Sequence, residues 1–581
     1  MPSQRHTPTR LTNSRKTFCH SRFGWSVTAP MTIQPIDPTL NTTKPQPVIF
    51  VPRLAATRIA ASVVAIGATQ FAAVSIACAE RSGSNAVPPP FTRQAGARIA
   101  AGVTPALPAP RWPWAVAAAL LIALALITPV NHDEDQYLAA ANLVSRGLRP
   151  FGDFMYLQTP VQPWLLAPVA WLADGWSFIA LRLVSAVAGL GTLALVYAAQ
   201  RRAGVTPRHA LIATALCGSC VPFLFGMSLA RNDALPALLL AVALWAAARG
   251  RTLDWGVAGL ALGCAASIKI SYGLPLAFGG FWLLWQAVRT QSVAPMLAWG
   301  IGGVIALLPT ALTWAAYAQA FEYGVFRYAA EGAKIWYDLN GIGDRLSLAA
   351  KLRDTGVALA IGPALVALIV LLFLRRDDGK KYRAFVITLL VAGVVAAILP
   401  TPTYRQYFLP VLPPLFVALG LAMPLGRWPL RIMAALGVAA VAVYAGLGVA
   451  DAVRRGPAAW CVTSQAHWIG AQAAGPIVTF SPTYVVDSGV PLDPRFATGT
   501  HVWRSGDLRS DAELGAFKVT SRRTLARELD ARPPGAILTG FEGASGVNRR
   551  IIPDEVLNDW ARTNGYRAVP TPYGGMLWLK R

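Results

Sequence analysis

The chain has 581 residues, of which 54% are hydrophobic and only 14% charged, and it carries a formal net charge of +24. That composition excludes an ordinary soluble protein and indicates a polytopic α-helical membrane protein. The cations lie mostly in the N-terminal tail and in short loops between apolar runs. This distribution orients a membrane protein; no basic patch with base-stacking aromatics stands apart, so nucleic acid is excluded as a partner.

Residues 1–111 are rich in Arg, Pro, Ser, Thr and Ala with almost no acids, and read as a mostly disordered basic region. Within it, 54–79 is Ala-rich and weakly apolar, interrupted by Arg58 and Gln70, and reads either as an extra span or as a signal-like helix. From Trp112 the spans can be counted. Apolar runs of spanning length fall at 113–130, 178–199, 209–230, 233–249, 254–271, 272–288, 295–318, 356–375, 384–400, 407–425 and 432–450, about 11 transmembrane helices in a module covering 112–450.

Alternate loops carry the cations: Arg201, Arg202 and Arg208; Arg249 and Arg251; Arg289; Arg375, Arg376, Lys380, Lys381 and Arg383; Arg427 and Arg431. Those loops define the cytoplasmic side. The loop 131–177, the turn Arg231-Asn232-Asp233, the loop 319–355, the turn Thr401–Gln406 and residues 451–581 then face outward. The last stretch reads as a small extracytoplasmic α/β domain: strands in GPIVTFSP, PPGAILTGF and GGMLWLKR, helices in RRTLARELDAR and IPDEVLNDWARTNGY. Cys217 and Cys220 form a CxxC inside an apolar run with no second pair, a packing arrangement rather than a zinc site, and Cys461 has no disulfide partner in its domain.

The loop 131–177 opens with Asp133, Glu134 and Asp135, continues as a short amphipathic helix (Tyr137, Leu138, Ala141, Val144), and stops at Gly147 and Pro150. The aromatic segment that follows (Phe151, Phe154, Tyr156, Trp164) suits a headgroup interface, as do Tyr323, Tyr328, Trp336 and Tyr337 of the long outer loop, with a lid over sugar or acceptor as their second reading. Arg182, Asp233 beside Arg231, Lys269 and Arg405 are ionisable groups at outer span ends. A charge at the bilayer centre costs about 2.5–3.5 kcal/mol, less near the interface. Each cation has a snorkelling reading; Arg182, Lys269 and Arg405 together, on the side where cations are sparse, favour a site. Glycosyl transfer from a lipid-phosphate sugar needs a carboxylate to take the acceptor's proton and cations to hold the developing phosphate charge. The outer face offers both.

The same residues carry a resemblance. Asp133-Glu134-x-x-Tyr137, followed by G-x-x-P-F-x-D-F and Thr159-Pro160, resembles the first outer loop of the GT-C glycosyltransferases, in the branch of protein O-mannosyltransferases and lipid A aminoarabinose transferases. Arg231-Asn232-Asp233 resembles that branch's second acidic turn, and Tyr404-Arg405-Gln406-Tyr407-x-x-Pro410-x-x-Pro413 its late segment. The chain departs from aminoarabinose transferases at Gln136, where they carry a cation, and at Thr159, where they carry Lys, which shifts phosphate binding towards Lys269 and Arg405.

The resemblance implies an inverting membrane glycosyltransferase that moves a sugar from an undecaprenyl-phosphate type donor to a hydroxyl on a lipid, polysaccharide or protein acceptor. It would sit in a bacterial inner membrane, with the active site on the periplasmic face. Asp133 would be the general base, Glu134 its neighbour and Asp233 the second outer acid; Tyr137, Arg182, Arg231, Lys269, Arg405 and Asp153 would bind substrate or phosphate. Asp153 also reads as an ordinary turn residue, Asp135 as a helix N-terminal acid outside the matching register, and His132 as incidental, for want of a patterned partner. No metal or other cofactor is assigned, although Asp133, Glu134 and Asp233 form a set able to share a divalent cation. A transporter or flippase of lipid-linked saccharides and an inactive homologue are the alternative readings.

Overall fold

A computed structural model describes residues 111–373 and 381–580. The N-terminal region, its segment 54–79, and the basic residues Arg375, Arg376 and Lys380 lie outside the described residues.

Among the described residues, each of the eleven apolar runs is built mainly of helix. Among the described residues, four helices are long and apolar enough to cross a membrane, or up to six spans if two bent pairs each count once; Trp112–Ile127, Val161–Leu172, Ala234–Ala247 and Thr252–Ile268 are shorter apolar helices. The two bends pack on each other. Pro207–Gly218 meets Val221–Ser228 at 69°, and Leu348–Ala360 meets Ala364–Phe373 at 93°. At the second bend Gly362 adopts φ 125°, and a Cβ there would come within 3.1 Å of the Cys220 Cα at the first. Glycine satisfies both the backbone angle and the close approach. Likewise Thr252–Ile268 and Ala294–Ala316 pack backbone against backbone, because Gly259 faces the Trp299 carbonyl and Gly302 the Gly256 carbonyl.

The outer loop is folded more tightly than a surface-lying segment. Phe151, Phe154 and Tyr156 are buried, not spread at an interface. Phe151, at φ 66°, starts a turn closed by its N–H donating to the Phe154 carbonyl at 2.7 Å, and its ring packs on Phe321 at 5.2 Å. The exposed apolar surface lies instead on Val161–Leu172, through Trp164, Leu165, Trp171 and Leu172. Tyr323, Trp336 and Tyr337 are also buried rather than anchored at a surface, because the long outer loop folds into helices that pack on the C-terminal residues: Tyr323 stacks on Phe517 and Trp336 tilts on Trp503.

After Ala458–Gly470 the chain forms a four-stranded sheet, β1 (Ile477–Thr479), β2 (Ala536–Thr539), β3 (Arg567–Pro570) and β4 (Met576–Leu579), in the order β1-β2-β4-β3. The β1–β2 pair is parallel and the others antiparallel, with Leu525–Ala531 and Pro553–Thr563 among the helices around it. Strand β3, with its exposed Arg567 and Ala568, has no apolar alternation and was not expected from the sequence.

Buried carboxylates dock this sheet region on the first outer loop. Asp135 accepts the Thr483 N–H at 2.9 Å, and Asp487 accepts the N–H groups of Ser177 and Phe178 at 2.7 and 3.1 Å, capping the helix Ser177–Arg202 from a distant segment.

Candidate active site

Pro129 ends the apolar run that begins at Trp112, and the chain turns immediately into the helix Glu134–Ser145, with Asp133 at its N-cap. Glu134 and Asp135 therefore sit in the first helical turn, where the helix dipole favours negative charge. The two neighbouring acids point into different surroundings.

Glu134 is wholly buried and does not reach the cavity. Its oxygens accept from Arg182 Nε and Nη2 at 2.8 and 2.6 Å, from the Ala230 N–H at 2.8 Å and from the Asn131 N–H at 3.0 Å. Arg182 also donates to the carbonyls of Ala125, Thr128 and Pro129. One ion pair thus ties together the end of the first helix, the first outer loop and the turn at 230–233.

Asp133 faces a cavity of about 340 Å³. It pairs with Arg231 Nη1, whose Nε donates to Asp233 at 2.9 Å; Lys269 Nζ donates to the other Asp233 oxygen at 2.5 Å. Lys269 is placed there by a break in the chain: the helix Thr252–Ile268 ends and residue 269 is extended (φ −142°, ψ 112°) before a short 3-10 turn. Asn131 Oδ1 accepts from both Arg231 Nη1 (2.6 Å) and the Asp133 N–H (3.1 Å), fixing the row. Arg405 enters from the 3-10 helix Arg405–Val411 and lies over the Phe225 ring at 4.7 Å.

The fold therefore brings Asp133, Tyr137, Arg231, Lys269 and Arg405 to one cavity wall, with Asp233 directly behind. Arg182 and Glu134 lie beneath it as a support. Asp153 is elsewhere: its carboxylate is held by Arg149 on the exposed side of the outer loop, and it does not line the cavity.

The rest of the lining includes His501 and Arg504, which the sequence did not mark, and three aromatics of the long outer loop, for which a lid was the second reading. His501 and Arg504 belong to the helix Thr500–Ser505, and Tyr328, Trp336 and Tyr337 to Tyr328–Leu339. His132 and His501 both turn a ring nitrogen to Asp133 Oδ1, at 3.1 and 3.5 Å. Burial raises the Asp133 carboxyl, but Arg231 and the two histidines outweigh it, so its pKa stands well below the usual carboxylate range. Nothing local distinguishes His501, which lies 369 residues from His132 in the chain; only folding makes them neighbours.

These two rings and Asp133 form a group of three side chains whose nitrogen and oxygen atoms lie within 4.8 Å. Arg231 already neutralises that carboxylate, so a divalent cation would be placed beside a guanidinium of like charge; the set does not fit one well.

Residues 157–314 match the family model described as dolichyl-phosphate-mannose-protein mannosyltransferase. No curated protein matches the sequence. Among solved structures, ArnT from Cupriavidus metallidurans bound to undecaprenyl phosphate is similar at 14% identity, over 80% of this chain and 97% of that one, with a TM-score of 0.54. The same protein in its apo state is similar with a TM-score of 0.51, at 14% identity and the same coverage. The chain has the fold of the GT-C membrane glycosyltransferases, the class its outer-loop motifs resemble.

Proposed function

We propose that the protein is an inverting glycosyltransferase that moves a sugar from a polyprenyl-phosphate donor to an acceptor hydroxyl at the outer face of the membrane. The observation that carries this reading is one cavity that holds a partly exposed carboxylate, Asp133, within a row of cations, Arg231, Lys269 and Arg405. The similarity to a fold that binds undecaprenyl phosphate in another protein supports the donor class.

Asp133 accepts the acceptor's proton as the hydroxyl oxygen attacks the anomeric carbon. Lys269 and Arg405, with Arg231 between the two acids, hold the phosphate as its charge grows, and being preorganised they need no rearrangement during the step. Asp233 orients Arg231 and Lys269, and Tyr137 closes the floor. Glu134 and Arg182 act from beneath by positioning the turn. No divalent cation is needed for leaving-group stabilisation when three fixed cations serve it.

The test is a transfer assay with the purified full chain in lipid, a panel of radiolabelled undecaprenyl-phosphate sugars and a membrane extract as the acceptor pool. Label passing to a new species, and lost in Asp133→Asn, is the expected result. Saturable donor binding with no transfer from any donor overturns the reading in favour of a flippase or an inactive homologue.

A further inference from the structure

We propose that His132 and Asp133 form a proton relay, in which Asp133 takes the acceptor's hydroxyl proton and His132 carries it out to solvent. The proposal deepens the transferase reading above and rests on it.

The geometry is asymmetric in a way that gives direction. Arg231 occupies Asp133 Oδ2, leaving Oδ1 for the two imidazoles. His132 is the nearer, at 3.1 Å, and its side chain is 47% exposed; the His501 side chain is 12% exposed and its Nε2 has no hydrogen-bond partner among the described residues. Of the two, His132 is much the more exposed to solvent.

A relay also answers a chemical difficulty in the base assignment. Asp133 is held so far towards its ionised form by Arg231 and the histidines that a proton placed on it does not stay. It suits a relay station better than a resting place. The His132 imidazole, in contact with Asp133 Oδ1, is a base placed to receive that proton. Burial outweighs Asp133 at His501 and pushes that ring down to about 4, so His501 stays neutral and does not compete. Its role is to wall the oxygen from the C-terminal side, backed by the Tyr328 ring at 6.3 Å.

The charged and titratable groups around this pair are Tyr137 from the first outer loop, Arg231 from the second outer turn, Lys269 after the helix Thr252–Ile268, Tyr328 and Tyr337 from the long outer loop, Tyr404, Arg405 and Tyr407 from the late segment, and His501, Arg504 and Glu542 from the C-terminal region. None of the others combines exposure with contact to Asp133. The step balances as follows. The acceptor oxygen forms a bond to the anomeric carbon, and the bond from that carbon to the phosphate oxygen breaks. The electron pair leaves on polyprenyl phosphate, and the acceptor proton passes to Asp133, then His132 Nε2, then water.

The experiment uses the full chain in lipid with whichever labelled donor supports transfer, and compares wild type, His132→Gln, His132→Ala and Asp133→Asn from pH 5 to 9. With His132→Gln, kcat should fall about 10- to 100-fold, with KM for donor within about two-fold. The shape of the kcat–pH profile should change, and added imidazole should restore part of the His132→Ala rate. An unchanged rate and profile in His132→Ala, or an equal loss at every pH that imidazole does not relieve, overturns the relay. Wild-type activity that a chelator abolishes and a divalent cation restores overturns it too, in favour of a ligand role. An active Asp133→Asn sinks the transferase base itself, whereas an inactive Asp133→Asn beside a normal His132→Ala sinks the relay alone.

Discussion

Arg182 grips both oxygens of Glu134, at 2.8 and 2.6 Å, with neither side chain exposed. The remaining guanidinium donors close the carbonyls at the end of the first helix, so the pair is fully hydrogen-bonded. Such a pair adds little net stability over apolar residues of like volume, yet losing one partner is costly because the other is left charged and buried. Arg182→Met should therefore destabilise the protein by about 3–5 kcal/mol. Thermal unfolding in detergent measures it. The double variant Arg182→Met/Glu134→Leu should recover much of the loss, which a purely catalytic role for Glu134 does not predict.

Lys269 is the cation whose removal leaves the local acid paired, since Asp233 keeps Arg231. Lys269→Met should weaken binding of undecaprenyl phosphate about 10- to 100-fold, one charge-assisted contact, while the protein stays folded. A titration of lipid in nanodiscs checks this; unchanged affinity would mean that the phosphate lies elsewhere.

Asp153 provides the contrasting case. It is paired with Arg149 at an exposed site away from the cavity. Asp153→Asn should change stability by no more than about 0.5 kcal/mol and leave transfer rates unaltered. A large loss of activity would return Asp153 to the substrate-binding set.

Asp487 caps the helix Ser177–Arg202 by accepting two of its first N–H groups. Asp487→Ala should cost about 1–2 kcal/mol, the usual price of a lost cap with buried donors left open. It should also loosen the sheet region from the outer loop, seen as faster amide exchange at residues 177–180.

Asp554 introduces a pH dependence. Burial raises its carboxyl from 3.8 to about 7, against the hydrogen bonds it accepts from the N–H groups of Gly540 and Glu542. The folded chain thus binds this proton more tightly than the unfolded chain, so the contribution to stability is greatest at low pH and falls as pH rises from about 4 to about 7. Asp554→Asn should flatten that slope. Melting temperatures of both proteins at pH 5 and pH 8, followed by tryptophan fluorescence, decide it.

Much of the architecture was legible in the chain itself. Apolar runs from Trp112 onward became helices, two of them as bent pairs, because a segment without polar side chains must satisfy its backbone internally. The acids at 133–135, the turn at 231–233 and the segment at 404–407 were visible as charges where a membrane chain avoids them. What could not be read was how these acids differ. Asp133, Glu134 and Asp135 are consecutive in sequence, but successive helical residues point about 100° apart. One meets a cavity, one a buried guanidinium and one the Thr483 backbone. The aromatics of the outer loops read as interface anchors because composition reports hydrophobicity and not what covers it; packing between loops buried most of them. His501 was invisible for the same reason. Sequence patterns report neighbours along the chain, and only the docking of the C-terminal residues, through Asp135 and Asp487, sets that ring against Asp133.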